Sequence, residues 1–452
     1  MQLSFLLMQE RLILIYFIFY VQYPLKYKIV PSTLKTLDLK SSSSQLPMFS
    51  KTFQSIIILA LAIAANGAAI NTAPTKLTLS RHFNMTGTQN ILQLDQARAR
   101  DLKNRATAKN TVSAATEPIT NQAVIYTASV GVGSPPTDYT LIVDTGSSNT
   151  WVGAVTPYTP TSTSKQTTDK VSVSYGSGSF SGTEWIDQVT LTSALVIPSQ
   201  SIGVASRSTG FAPYDGILGI GPDDLTIGTL SPDSSKTIPT VTDNLFVDGT
   251  IPTDLVAVSF EPTSTSPNTN GELSWGAVDT AKFTGSIGYT SITATSPASA
   301  YWGINESIVY GTTTILSNTA GIVDTGTTLI LIATNAFNTY KSQTGGVLDS
   351  TTGLLRITST QYSNLKTLNF IVNGVTYGLT PNGQIWPRAL NSAIGGSPSS
   401  IYLVVADIGS PSGSGLDFID GYTFLERFYS VFDTTNSRVG LATTPFTTAT
   451  TN

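Results

Sequence analysis

The chain carries an internal duplication. Residues 141–152 read LIVDTGSSNTWV, and residues 321–332 read GIVDTGTTLILI. Each copy runs an Ile-Val lead into Asp-Thr-Gly, two hydroxyl residues and renewed apolar text. A single Asp-Thr-Gly is an ordinary surface turn, since Asp and Gly both suit tight turns. Two copies with matching apolar flanks, Asp144 and Asp324 lying half a chain apart, are hard to obtain by accident. They imply two related halves, each running a buried strand into a turn that presents an aspartate.

Such carboxylates are costly to keep. Surrounding them with Ile142, Val143, Ile322 and Val323 strips water from a charge, so they persist only with a partner or a task. If the halves pack about a pseudo-two-fold axis, the two carboxylates meet at the seam. Adjacent like charges resist ionising together, so one proton is shared and the titration splits. One group is then a base, the other an acid, and both can hold one water.

Composition closes most other routes. Among 452 residues there is no cysteine and one histidine, His82. Cysteine nucleophiles and Cys/His zinc sites need those side chains, and a Ser-His-Asp triad would have to use His82. Charged residues make up 12%, against roughly 25% in ordinary soluble domains. Long charged helix faces are therefore missing. Alternating β-branched text with Gly, Pro and Ser-Thr punctuation, as in 123–133, 139–146, 170–182 and 184–197, predicts an all-β protein. Helical text is limited to short pieces, such as 335–342 and the region around 423–429. A net charge of −4 offers nothing to a nucleic acid.

The start of the chain reads as processing signals. From Met48, a lysine, the apolar run 56–65 and the small residues Gly67 and Ala69 form a secretory signal over 48–69, cleaved after Ala69. Residues 1–47 are read as an upstream extension with no structural role. The apolar stretch 12–21 is too short to span a bilayer. Residues 70–119 carry a net charge of +4 and residues 120–452 a net charge of −12. A basic leader over 70–117 would suit an acidic surface, and a loose solvated tail fits the same charges equally well. Asn84 and Asn305 head glycosylation tripeptides.

At these residues the sequence resembles the pepsin-type aspartic proteases, including secreted fungal members without cysteine, and nearly the whole body takes part. Trp151 follows Asp144 by seven residues, and Tyr175-Gly176-Ser177-Gly178-Ser179 matches the flap, a hairpin that closes over substrate. Tyr214-Asp215-Gly216-Ile217-Leu218-Gly219 and the segment from Gly421 to Asp433 match the strands beside each active-site loop. The resemblance implies a bilobal fold, with residues 118–285 and 286–452 as lobes and the site in the cleft between them. It implies that Asp144 and Asp324 are catalytic and that Ser147 and Thr327 hold their outer oxygens. Thr145 and Thr325 would brace the loops, and Gly146 and Gly326 would let backbone approach the carboxylates. Tyr175 would hydrogen-bond the Trp151 indole, and Ile142, Phe211 and Ile217 would wall an apolar pocket.

The implied activity is a secreted, monomeric endopeptidase made as a zymogen. It would act on extended peptides at acidic pH, with no cofactor, metal, nucleic acid or membrane partner. The leader would cover the cleft with a lysine, Lys103 or Lys109, near the aspartates. An inactive binding or inhibitor protein on the same fold is the alternative; a β-rich cell-wall protein would not explain the paired motifs. Two departures stand out: Ser177 replaces the flap aspartate of some fungal relatives, and Asp420 stands where the family is usually apolar.

Overall fold

The strand-forming text folds as strands. The computed structural model describes residues 74–83, 90–107, 124–176 and 178–452. The expected extension and signal, Asn84, Lys109, Ser177 and the expected mature start (111–121) lie outside the described residues. The largest sheet has 14 strands, followed by sheets of seven and three. In the large sheet, Arg438–Thr443, Phe428–Asp433, Leu255–Ser259, Asn268–Trp275, Thr75–Phe83 and Val124–Val132 are successive neighbours. Strands from the leader, the first half and the chain's end thus share one platform. The 285/286 boundary falls inside the strand Thr284–Ser291, which pairs with Arg438–Thr443.

The two motif copies fold alike. Thr137–Asp144 runs parallel to Gly216–Gly219, with Asp144 opposite Gly219. Past the turn, Trp151 lies antiparallel to Ile217. In the second half, Thr313–Val323 runs parallel to Phe418–Asp420, and Ile330–Ile332 returns antiparallel to it. In each half, therefore, a third strand threads between the arriving and departing arms of the Asp-Thr-Gly turn. The turn has nowhere to move.

Helices at Thr334–Thr344 and Tyr422–Leu425 fall in the text read as helical. The 17-residue helix Ile91–Thr107 was not expected, and it corrects the limitation of helix to short pieces. Its start is marked by a reciprocal cap: the Gln93 N–H donates to Asn90 Oδ1, and the Asn90 N–H donates to Gln93 Oε1, both at 3.0 Å. Ile91, Leu94, Asp95, Arg98 and Leu102 recur at three- and four-residue steps, and all are buried. Two charged residues on the inner stripe hide the pattern from a hydrophobicity reading.

Candidate active site

The two Asp-Thr-Gly turns meet back to back. The Thr145 N–H donates to Thr325 Oγ1 at 3.0 Å, and the Thr325 N–H donates to Thr145 Oγ1 at 2.9 Å. Each hydroxyl then donates across the seam, Thr145 to the Val323 carbonyl at 3.3 Å and Thr325 to the Val143 carbonyl at 3.1 Å. All four groups are buried, so these bonds have no water to fall back on. Thr145→Val or Thr325→Val strands a buried N–H and should cost about 1–3 kcal/mol. Thermal unfolding checks this; an unchanged melting temperature would show that the reciprocal bonds contribute nothing.

That brace sets the carboxylates side by side, both fully buried. Asp144 accepts from the Gly146 N–H at 2.9 Å and from Ser147 Oγ at 2.5 Å. Asp324 accepts from the Gly326 N–H at 3.1 Å and from Thr327 Oγ1 at 2.6 Å. A β-carbon at Gly146 would sit 2.7 Å from Asp324 Oδ1, and one at Gly326 2.7 Å from Asp144 Oδ1. Only glycine fits at either turn.

A cation bridges the pair, and it is not a lysine. Arg98 Nη2 donates to Asp144 Oδ1 at 2.5 Å and to Asp324 Oδ1 at 2.7 Å, while its Nε donates to Asp324 Oδ2 at 2.6 Å. This corrects the expectation for Lys103. Arg98 shares the inner stripe of the leader helix, whereas Lys103 is offset from it and half-buried, and Lys109 lies outside the described residues. The planar fork also serves two carboxylates at once, which a compact ammonium does less well. Burial pushes the Asp324 carboxyl up, but Arg98, with the bonds from Thr327 and Gly326, outweighs it and holds the group below its usual range. Burial works against the Arg98 charge as well, and the two aspartates more than restore it.

The same helix grips the second turn directly. Buried Asp95 accepts from the Leu329 N–H at 2.7 Å and from the Thr328 N–H at 3.3 Å. Burial raises Asp95 to about 7, against those two bonds and the nearby Arg98 charge. Tyr301 Oη donates to the Leu102 carbonyl at 2.7 Å. The leader strand adds buried Arg81, which meets Tyr422 Oη at 2.9 Å and Glu426 at 3.3 Å. His82, on that strand, packs edge-on to Tyr214.

On the flap side, Ile142, Trp151, Tyr175, Phe211 and Ile217 join one apolar cluster. Trp151 meets Phe211 edge-on at 4.8 Å, and Tyr175 meets Phe211 edge-on at 5.5 Å. The expected bond between Tyr175 and Trp151 is not closed: the phenol oxygen and indole nitrogen are buried near each other without hydrogen-bond geometry. Arg105 lies over the Tyr175 ring at 5.6 Å, and Gly176 at the flap tip rests against the Ala97–Arg98 backbone. Asn305 is exposed on the strand Gly303–Tyr310, its side-chain oxygen accepting from Thr293.

Residues 125–444 match the family described as "Eukaryotic aspartyl protease". The chain belongs to that family. It is 68% identical to polyporopepsin of Irpex lacteus over 341 residues, 75% of this chain and 100% of that protein. Cathepsin E of Cavia porcellus is 30% identical over 74% of this chain and 85% of its own length. The crystal structure of the Irpex lacteus aspartic proteinase superposes with a TM-score of 0.73 at 60% identity, covering 84% of this chain and all of that one. The protein is thus an aspartic endopeptidase with a pepsin-like, all-β fold.

In the protease, sequence reasoning missed Arg98, Asp95 and Glu306. Helical spacing after the Asn90 cap could have found the first two. Glu306 had no such signal: it faces Asp420 from a distant strand.

Proposed function

We propose that the protease is a secreted zymogen whose catalytic pair, Asp144 and Asp324, hydrolyses peptide bonds at acidic pH. One observation carries this reading: a single nitrogen, Arg98 Nη2, touches the inner oxygens of both carboxylates. A water at that place would touch both as well. With the leader away, the two aspartates lack the cation that lets both ionise, and one retains a proton. The ionised member draws a proton from the water as it attacks the scissile carbonyl, and the protonated member donates to the carbonyl oxygen. Proton transfer to nitrogen then lets the amine leave. Ser147 and Thr327 hold the outer oxygens, so the inner pair points at the substrate.

The leader, residues 70–117, is the internal inhibitor: its helix fills the place of the scissile bond and props the flap. Residues 118–285 and 286–452 form the lobes that flank the cleft. An extended peptide would replace the helix beneath Tyr175 and Gly176, with Ile142, Phe211 and Ile217 backing an apolar pocket. With Ser177 at the flap and no carboxylate there, bulky apolar residues are preferred at the cut. Digesting a peptide library across a pH series tests both points. Activity should peak in acid and fall as both carboxylates ionise, with cuts beside large apolar residues. Dominant cleavage after lysine, or an optimum above neutrality, would overturn the reading. Exposed Asn305 is the glycosylation site this fold supports.

A further inference from the structure

Beneath Asp324 lies a second pair of carboxyl groups. Glu306 sits on the strand Gly303–Tyr310 and Asp420 ends the strand Phe418–Asp420, both 0% exposed. Among the described residues, no N–H or O–H hydrogen-bonds any of their four carboxyl oxygens. The two groups are instead within hydrogen-bonding contact of each other. Two carboxylates are both acceptors and cannot bond unless one carries a proton. Leaving both ionised in contact, with no cation, would be prohibitively costly.

The neighbours offer no alternative partner. Thr319, paired with Glu306 across the sheet, gives its hydroxyl to Asp417 at 2.6 Å. Asp417 is further held by the N–H groups of Gly413 and Ser414, and Asp407 by Thr334 and Gly409. Asp324 is occupied by Arg98, Tyr422 by Arg81 and Tyr340 by Gln384, and the Tyr310 oxygen accepts from Lys366 N. The other strands beside the pair, Thr313–Val323, Ile330–Ile332 and Leu368–Val372, hold no ionisable side chain. Among the described residues, each of the two carboxyl groups has the other as the ionisable neighbour that acts on it, on top of its burial.

Asp420 also touches the catalytic loop through its backbone. It lies opposite Val323 and Ile330, and its carbonyl accepts the Asp324 N–H at 3.1 Å. We propose that Glu306 and Asp420 form a proton-sharing latch that holds the strand under Asp324, and that its loss sets the upper pH limit of the protease. Both are positioning residues; neither touches substrate. Burial raises both groups, the Asp420 charge raises Glu306 further, and the bond from Glu306 offsets part of the rise at Asp420, which reaches about 8. Groups raised in the folded state give their full stability below the ordinary carboxyl range. That stability drains away as pH climbs through the raised values.

The test holds the acid-treated full chain at graded pH and then assays it in acid. The parent should inactivate steeply around neutrality and above. Glu306→Val with Asp420→Leu should keep acid activity and move half-inactivation up by about one pH unit or more, with a shallower proton dependence. Glu306→Gln, whose amide donates to an ionised Asp420, should fall between. Infrared difference spectra of parent minus E306Q at about pH 6 should show a protonated carboxyl, whether or not the double variant folds. Half-inactivation unchanged in E306Q and in any folded double variant, or no such band, would overturn the proposal.

Discussion

Asp144→Asn or Asp324→Asn should each lower peptide hydrolysis by about three orders of magnitude or more, because each removes one member of the acid–base pair. The fold should survive. At Asp144, the amide keeps its oxygen toward the Gly146 N–H and turns its NH2 toward Ser147, whose hydroxyl rotates to accept. Gly326 and Thr327 permit the same exchange at Asp324. Acid-pH turnover and circular dichroism together check this. A native spectrum with activity within tenfold of the parent would remove the substituted aspartate from the mechanism.

Arg98→Ala should have the opposite sign. It leaves two buried carboxylates facing each other under the leader helix, and breaking such a pair costs about 3–5 kcal/mol. Leader docking should weaken by at least about 100-fold. The precursor should then cleave itself and bind substrate nearer neutrality, as limited proteolysis and activity against pH would report. In the parent, the stability Asp324 gives to docking is present above the ordinary carboxyl range. It is lost as pH falls through the depressed value. Asp95 works the other way: raised to about 7, it favours docking in acid and penalises it as pH rises. Acid release therefore depends on the Arg98 pair outweighing Asp95. An R98A precursor that stays latent over the parental pH range would refute the inhibitory role.

Much of this was legible in the sequence, and for a physical reason. The Asp-Thr-Gly copies are local signals, with strand text, turn chemistry and hydroxyl supports all within a dozen residues. The all-β body follows from alternation. What the text hid is non-local. Arg98 was masked because a charged residue on an inward helical stripe reads as solvated surface. Asp420 was visible as an anomaly, but its answer, Glu306, arrives from a strand far away in sequence. The shared platform was equally hidden, since nothing local says that Phe428–Asp433 will pair with Leu255–Ser259.

The leader strand Thr75–Phe83 has hydrogen-bonded neighbours on both sides, Asn268–Trp275 and Val124–Val132. It is woven in by backbone bonds, whereas the helix is held in the cleft through its side chains, Arg98 and Asp95 foremost. A cut between the helix and residue 124 would therefore free the two parts at different times. The helix lets go when its ion pairs fail, while the strand keeps it on a short leash. A tethered inhibitor acts at an effective concentration of order millimolar, so returning to neutral pH would recap the cleft without any second encounter. Commitment would come only when the strand itself is stripped from the sheet. The enzyme would thus have a grace period, switched on yet still recallable.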